Sequence, residues 1–435
     1  MALLQEVCFM ITYLKRICDD LLRFKLECAG AVLVEGPKWC GKTCMAEQQA
    51  KSIVYLQDPD KGEAYQLILD TQPSRLLEGA KPRLIDEWQD APQLWNGVRL
   101  YIDQHGGFGH FILTGSATPR RPDVGSPRRH TGTGRIARLR LRPMSLWEAG
   151  DSNGNVSLAQ LFAGNDNLDG TGKMELEKLA FTVCRGGWPV AVTAKDERVQ
   201  LQQAIEYLNA IVTEDIHRVD GVEKNPRRIS LLLRSLARNV STMATDVTLL
   251  EDIRANDMSI SDKTLALYLN ALEQIFTVEN VPAWQPSLRS KTAIRTSDKR
   301  QFADPSIAAA ALRANPTALM NDLKTFGFLF ESLVVRDLRV YVQPLEGEVL
   351  HYHDKSGLEA DLILRLPDGR WGAVEVKLGI GQIEEAAANL LKLKAKVDAE
   401  KTGLPTFLMV VSGTCPYALK RPDGVLVVPI SCLKD

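Results

Sequence analysis

The sequence lacks most of the features that would place it in a special class. Its 435 residues include only six histidines and eight cysteines. The cysteines (Cys8, Cys18, Cys28, Cys40, Cys44, Cys184, Cys415, Cys432) form no Cys-x-x-Cys pair and no zinc spacing with histidine. That argues against a zinc module or a disulfide framework and suits a reducing compartment. No apolar run approaches the roughly 20 residues of a membrane helix, so no membrane partner is expected. No repeat recurs at solenoid periods. Neither sign of charge dominates: 53 basic residues stand against 54 acidic ones. Bulk electrostatics therefore neither demands nor excludes a nucleic-acid partner, and any such reading must come from local patches. The opening MALLQEVCFMITYLKR has no basic n-region and no small-residue cleavage site, and reads as a helix start rather than a signal peptide. A cytoplasmic location is expected.

What is present is ordinary globular composition, 45% hydrophobic and 25% charged, enough for about two to four domains. Short apolar runs alternate with helical patterns up to about residue 150: AVLVE, SIVYLQD, RLIDEW and HFILTGS. Such alternation means βαβ units and a parallel sheet. A polar, glycine-rich stretch follows at 150–173, and then a mostly helical connector. Residues 226–318 read as three helices and a strand pair around a basic loop, a winged-helix pattern with SDKTLALYLNALEQ in the recognition slot. The last region runs helix, hairpin, helix, strand, strand. The expected division is 1–150, 151–225, 226–318 and 319–435.

GPKWCGKT fits G-x-x-x-x-G-K-[ST]. It follows a strand and opens a helix, the context in which backbone N–H groups and a helix N-terminus surround phosphates. ATP is the expected ligand, with Gly36, Pro37, Lys38, Cys40, Gly41, Lys42, Thr43 and Cys44 around it. Lys42 would reach the β/γ-phosphates, and the Thr43 hydroxyl would serve Mg²⁺. RLIDEW supplies Asp86 as a second Mg²⁺ ligand and Glu87 as the base that polarises the attacking water. Thr114 and Ser116, ending FILTGS, would sense the γ-phosphate. Arg120, Arg121, Arg128, Arg129 and Arg135 are candidate arginine fingers, acting in the same chain or across a subunit interface. Arg135 is the preferred one.

The ordered series GPKWCGKT, RLIDEWQDAP, FILTGSA and TGTGRIARLRLRPMSLWE resembles a widespread bacterial and archaeal group of AAA-type P-loop ATP-binding proteins. The series continues through CRGGWPV, YLNAIVTEDI, KRQFADPS and GFLFESLVVRDL, so the resemblance covers nearly the whole chain. It implies ATP binding and a C-terminal domain of unknown function with a restriction-endonuclease-like core. This chain departs from the usual pattern at Lys38 and Trp39, where Arg and Gln or Glu are typical. Both lie at variable positions of the motif. The implied fold is multidomain α/β: a P-loop NTPase, a helical connector, a winged helix and a restriction-endonuclease-like α/β domain.

Residues 357–379, GLEADLILRLPDGRWGAVEVKLG, bear on that last domain. A two-residue loop at Asp368-Gly369 would pair Asp361 with Val376. A three-residue loop, Pro367-Asp368-Gly369, would pair Asp361 with Glu375. Pro suits the first turn position and Gly the left-handed one, which favours the second register. Paired carboxylates repel unless a proton or a cation lies between them. In the nuclease reading Asp361, Glu375 and Glu331 bind Mg²⁺ or Mn²⁺, and Lys377 positions water or phosphate. In the plainer reading the acids form a solvated polar face or a partner surface. Arg289, Lys291, Arg295, Lys299 and Arg300, in or beside the wing, would contact DNA phosphates, whereas the apolar residues of the recognition-slot helix fit core spacing. His351 and His353 read as a half-exposed strand face. Trp88, Trp147 and Trp188 are expected in domain cores, and GGWP as a tight bend. Two functions remain open: an ATPase coupled to nucleic-acid processing or defence, with a nuclease site, or a nucleotide-dependent switch whose nuclease-like domain is an inactive partner-recognition module.

Overall fold

The computed structural model describes residues 13–117, 132–166, 168–172, 174–218, 224–286 and 296–435. Arg120, Arg121, Arg128, Arg129, Arg289, Lys291 and Arg295 lie outside the described residues. The chain falls into two compact units. The first contains the described residues up to Arg142, with those of 214–223 and 271–276. The second contains those of 143–213, 224–270 and 277–435.

The first unit is built on five parallel strands: β1 (Ala31–Glu35), β2 (Ser52–Tyr55), β3 (Arg83–Asp86), β4 (Phe111–Gly115) and β5 (Ile136–Arg140). Their spatial order is β2-β3-β4-β1-β5. Alternate residues of β1 enter different cores, as a strand covered on both faces requires. Ala31 and Leu33 pack with Trp88, Leu94, Trp95, Val98 and Ile102, mostly from α3 (Gln93–His105). Val32 and Val34 pack with Leu22 and Leu26 of α1 (Cys18–Cys28) and with Met45 and Ala46 of α2 (Lys42–Glu47). Because β4 lies between β1 and β3, its C-terminal end falls between the phosphate loop and the Asp86-Glu87 pair.

In the second unit, α4 (Pro226–Arg238) starts at an Asn225 cap whose side chain accepts from the Arg227 and Arg228 amides, with Pro226 in the first turn. It is followed by α5 (Asp246–Arg254) and α6 (Asp262–Gln274), whose last residues, from Ala271, belong to the first unit. Leu265, Leu269, Leu272 and Phe276, in and just after α6, are buried, in line with the core spacing of the recognition-slot stretch. Antiparallel bridges then join Val278 to Phe302 and Val281 to Lys299.

α7 (Leu323–Val342) precedes a six-stranded sheet of order β10-β11-β9-β8-β7-β6. Its strands are β6 (Glu348–His353), β7 (Glu359–Arg365), β8 (Trp371–Lys377), β9 (Phe407–Ser412), β10 (Leu419–Lys420) and β11 (Leu426–Pro429). β6, β7 and β8 form an antiparallel meander. α8 (Ile383–Lys396) crosses from β8 to β9, and β8, β9 and β11 run parallel. Ile363, Trp371 and Ala373 lie in one core cluster with Ala386, Ala387, Leu390 and Leu393 of α8. The face that carries Asp361 and Glu375 is thus covered by a helix, which corrects the expectation of a solvated polar face.

A buried ionic triad ties distant segments of this unit together. Arg336 donates to Asp304 Oδ2 at 2.9 Å and to Asp337 Oδ1 at 2.7 Å. The same two carboxylates accept from the amides of Gly187 and Leu146. GGWP is a tight bend: Gly186 has φ +74°, and a Cβ at Gly187 would lie 2.1 Å from the Met144 carbonyl oxygen. Trp88 and Trp188 are core residues, but Trp147 is 37% exposed, with the Lys434 ammonium over its ring.

Candidate nucleotide site and a buried acid–lysine cluster

The loop between β1 and α2 has the backbone that phosphate binding needs. Gly41 is left-handed, φ +95°, immediately before the first turn of α2. Trp39 also has positive φ, +64°, a conformation that costs a non-glycine residue about 1–2 kcal/mol. A Cβ on Gly36 would lie 2.0 Å from the Leu141 carbonyl oxygen, so this glycine permits close packing of the loop on the segment after β5. Lys42 is buried and donates to the carbonyls of Gly36 at 3.0 Å and Pro37 at 2.8 Å. Its ammonium therefore closes the loop from inside. The Cys40 thiol faces inward, 3.6 Å from the Leu141 carbonyl, and burial pushes its pKa up. Any part Cys40 plays toward a ligand is consequently a backbone one. Cys44, in the first turn of α2, is partly buried. Lys38 forms an ion pair with Asp215.

The ends of β3 and β4 and the first turn of α2 converge on Asp86. The Thr43 hydroxyl donates to Asp86 Oδ1 at 2.7 Å, and the Thr114 hydroxyl donates to the same oxygen at 2.6 Å. Burial raises the Asp86 pKa, and the two hydroxyls oppose that rise. Glu87 has φ +55°. Its amide donates to Thr114 Oγ1, and its Oε2 accepts from Ser116 Oγ at 3.1 Å and from Gln89 Nε2. The buried Gln89 Oε1 has no hydrogen-bond partner. The hydroxyls and carboxylate around Asp86 are hard oxygen donors of the kind Mg²⁺ takes.

Arg135 is elsewhere. It precedes β5, whose first residue is level with Ala31, and its carbonyl accepts from the Ala31 amide. Its guanidinium pairs with Asp103 at 2.8 Å. It therefore lies at the edge of the sheet opposite the phosphate loop, about 13–17 Å away for five strand residues. A finger role within the same chain is excluded. Sequence reasoning missed Arg16, which is buried and donates to the Cys40 carbonyl at 2.9 Å and the Arg142 carbonyl at 2.7 Å. It also missed Asp215. Nothing in YLKRICDD or VTEDI marks either residue; only the folded chain brings them to the loop.

In the second unit the hairpin has the three-residue turn. Gly369 is left-handed at φ +90°, and Leu362 pairs with Val374 and Ile363 with Ala373. The next pair in that register sets Asp361 opposite Glu375. What lies among the acids is lysine. The Lys299 ammonium is 2.9 Å from Glu331 Oε1 and 3.5 Å from Asp361 Oδ1. Lys377 is 2.8 Å from Glu375 Oε2 and 3.5 Å from Asp361 Oδ2. Asp361 Oδ2 also accepts from the Val376 amide, and Asn389 of α8 donates to Glu375 Oε1. Burial raises Glu331 to about 7. Burial, with the adjacent Asp361 charge, raises Glu375 to about 8. Burial opposes ionisation of Asp361 too, yet Lys299 and Lys377 hold its pKa below the ordinary value.

This arrangement corrects two expectations. Glu331, Asp361 and Glu375, expected to bind a metal, are not arranged as a metal-binding group, and among the described residues no cluster of three or more His, Cys, Asp or Glu is. Two ammonium groups lie among the carboxylates instead. Lys299 and Arg300 are not wing cations either. Lys299 is buried, and Arg300 pairs with Asp246 and donates to the Ala244 carbonyl. His351 is fully buried rather than half-exposed, with a pKa lowered to about 4 by burial.

Residues 29–150 match a family model described as an AAA domain. Residues 176–318 and 326–433 match two domains of unknown function, DUF8612 and DUF4143. Two uncharacterized proteins, Mb2031c of Mycobacterium bovis and Rv2008c of Mycobacterium tuberculosis, are each 22% identical over 359 residues, 82% of this chain and 72% of theirs. Among solved structures, the Walker-type ATPase of Pyrococcus abyssi aligns with a TM-score of 0.40 at 13% identity, over 67% of this chain and 94% of that one. The Orc1 protein of Aeropyrum pernix, solved in complex with DNA, aligns with a TM-score of 0.22 at 16% identity, over 70% and 92%. Likeness of that degree carries no functional detail. Residues 29–150 match an AAA domain and carry the P-loop, within a mixed α/β chain. No helix among the described residues is long and apolar enough to cross a membrane.

Proposed function

We propose that the chain hydrolyses ATP at the β1–α2 loop, with Glu87 as the base. The observation that carries this is the convergence of Thr43 and Thr114 on Asp86, with Ser116 beside Glu87. The backbone N–H groups of Gly36 and of residues 38–44, with the ammonium of Lys42, bind the phosphates. Thr43 and Asp86 would hold Mg²⁺, which would supply positive charge against the phosphate oxygens. Glu87, oriented by Ser116 and Gln89, takes a proton from the attacking water. Thr114 keeps Asp86 and the Glu87 backbone in register. Arg135, exposed in part, acts only if it reaches a neighbouring subunit's nucleotide.

The test uses two variants. Lys42→Ala is expected to lose ATP binding. Glu87→Gln is expected to bind ATP but hydrolyse it about 10²–10⁴-fold more slowly. A Glu87→Gln enzyme turning over at the parent rate would remove Glu87 from the mechanism.

A second reading concerns the rest of the chain. α7, the β6–β8 meander, α8 and β9 follow the element order that the restriction-endonuclease-like resemblance implies, and α4–α6 with the Val278–Phe302 strand pair follow a winged-helix order. The inward-turned Lys299 and Arg300 favour a nucleotide-dependent switch whose nuclease-like domain recognises a partner without cutting. DNA-stimulated ATPase activity, or Mn²⁺-dependent DNA cleavage lost in Asp361→Ala plus Lys377→Ala, would reverse that choice in favour of nucleic-acid processing.

A further inference from the structure

The acid cluster has a cation of its own, and the fold delivers it. Lys299 is not part of the hairpin it serves. Its backbone pairs with Val281 through reciprocal hydrogen bonds, both 2.9 Å. The partner strand continues onto the edge of the sheet: the His351 amide donates to the Pro282 carbonyl at 2.9 Å, and the Trp284 amide donates to the His351 carbonyl at 2.6 Å. His351 Nε2 lies 3.0 Å from the Ser297 carbonyl, two residues before the lysine. Trp284 packs at a tilt against Trp371, ring centroids 4.8 Å apart, and the strand of Trp371 bears Glu375. The Val278–Phe302 strand pair is an extension of the sheet edge. Its cation points inward, between α7 and β7.

The position Lys299 occupies is the one a divalent ion would require. It contacts the helix acid, Glu331, and both the carboxylate and the carbonyl of Asp361. A hard divalent ion takes several such oxygens at about 2.0–2.6 Å, which is not compatible with an ammonium group at hydrogen-bond distance from the same atoms. Lys377 completes the neutralisation from the Glu375 side. Two ammonium groups thus balance two of the three carboxyl groups, and burial keeps a proton on Glu375.

We propose that Lys299 is the resident cation of the Glu331–Asp361–Glu375 cluster, replacing a divalent metal ion and fastening the 278–302 strand pair to the sheet. The cluster is consequently a structural lock, not a cleavage site. This deepens the reading of residues 319–435 as a nuclease-like core that does not cut. It requires that the cluster exclude metal in the native chain and accept it once the ammonium group is removed.

The experiment is Mn²⁺ titration of the full chain, followed by electron paramagnetic resonance, without nucleotide and in an Asp86→Asn background that silences the phosphate-loop site. Lys299→Gln is expected to gain about one Mn²⁺ per chain at least tenfold more tightly than its parent. Adding Asp361→Asn should abolish the gain. The inference is overturned if the parent already binds one Mn²⁺ that Asp361→Asn removes, or if folded Lys299→Gln gains none. Should Lys299→Gln fail to fold, acetylation of the native chain decides: Lys299 stays protected with and without 10-fold excess Mn²⁺ if it is the resident cation, and becomes reactive on Mn²⁺ addition if it is not. Metal binding is read here without nucleic acid, so failure of the lock is distinguishable from failure of the nuclease-like reading, which would appear as Mn²⁺-dependent DNA cleavage.

Discussion

The Lys38 ammonium, in the phosphate loop, is held by the Asp215 carboxylate 177 residues further along the chain. Asp215 is 6% exposed and lies in a π-helical turn, Ile211–Asp215, a geometry that often marks functional positions. The pair keeps a phosphate-loop cation occupied with a protein carboxylate.

Asp215→Asn should release Lys38 toward nucleotide phosphate and tighten ATP binding by up to about tenfold, the equivalent of about 1.4 kcal/mol. Lys38→Met should weaken it. Titration with a fluorescent ATP analogue measures both. If Asp215→Asn weakens binding as much as Lys38→Met, the pair shapes the loop instead of competing with phosphate.

Thr43 and Asp86 share a hydrogen bond that Mg²⁺ would have to replace. Thr43→Val should lower affinity for Mg-ATP by about tenfold or more while leaving magnesium-free ATP nearly unaffected. Parallel titrations with and without EDTA give the comparison. An equal loss under both conditions would place Thr43 on the phosphates rather than on the metal.

Arg336 is 2% exposed between Asp304 and Asp337. Arg336→Met should destabilise the chain by about 3–5 kcal/mol, because it leaves two carboxylates buried without their cation. Making both acids leucine as well should not restore stability, since the Gly187 and Leu146 amides would then lose their acceptors. Urea denaturation monitored by circular dichroism would show this. Full recovery in the triple variant would mean those amides find other partners.

Glu331 and Glu375 are raised to about 7 and about 8 from an ordinary value near 4.5. The native chain therefore holds protons that the unfolded chain has released between about pH 4.5 and 8. Stability should be fullest at the lower end of that window and fall as pH rises through 7 and 8, by at most about 1.4 kcal/mol per pH unit for each proton. Asp361→Asn removes the charge that helps raise Glu375 and should flatten the alkaline part of the decline. Melting curves at pH 5.5, 7 and 8.5 would reveal it. Stability rising with pH across that window would contradict the assignment.

The nucleotide site was legible because its chemistry is local. Gly36 to Thr43 are contiguous, and Asp86 and Ser116 each end an apolar strand, so strand order alone brings them together. The hairpin register was legible because Pro367-Asp368-Gly369 specifies a turn. What could not be read was long-range. Arg135 stands beside a glycine-rich stretch that looks catalytic, but the parallel pairing of β5 with β1 carries it to the wrong edge. Lys299 reads as one of five clustered cations on a solvent loop. Only the sheet-edge pairing of Val281 and Trp284 turns it inward, where it satisfies acids 32 and 62 residues away. Asp215 and Arg16 carry no motif at all.

Loop tips normally tolerate inserted or deleted residues better than any other part of a chain. The tip at Pro367-Asp368-Gly369 is an exception. Removing one residue there would shift β8 by one position against β7 and exchange its faces. Glu375 would trade places with a valine, and Asp361 would lose the ammonium group of Lys377. The length of this three-residue tip is thus a phase constraint: during divergence its residue types can drift, provided a left-handed position remains, but its residue count cannot.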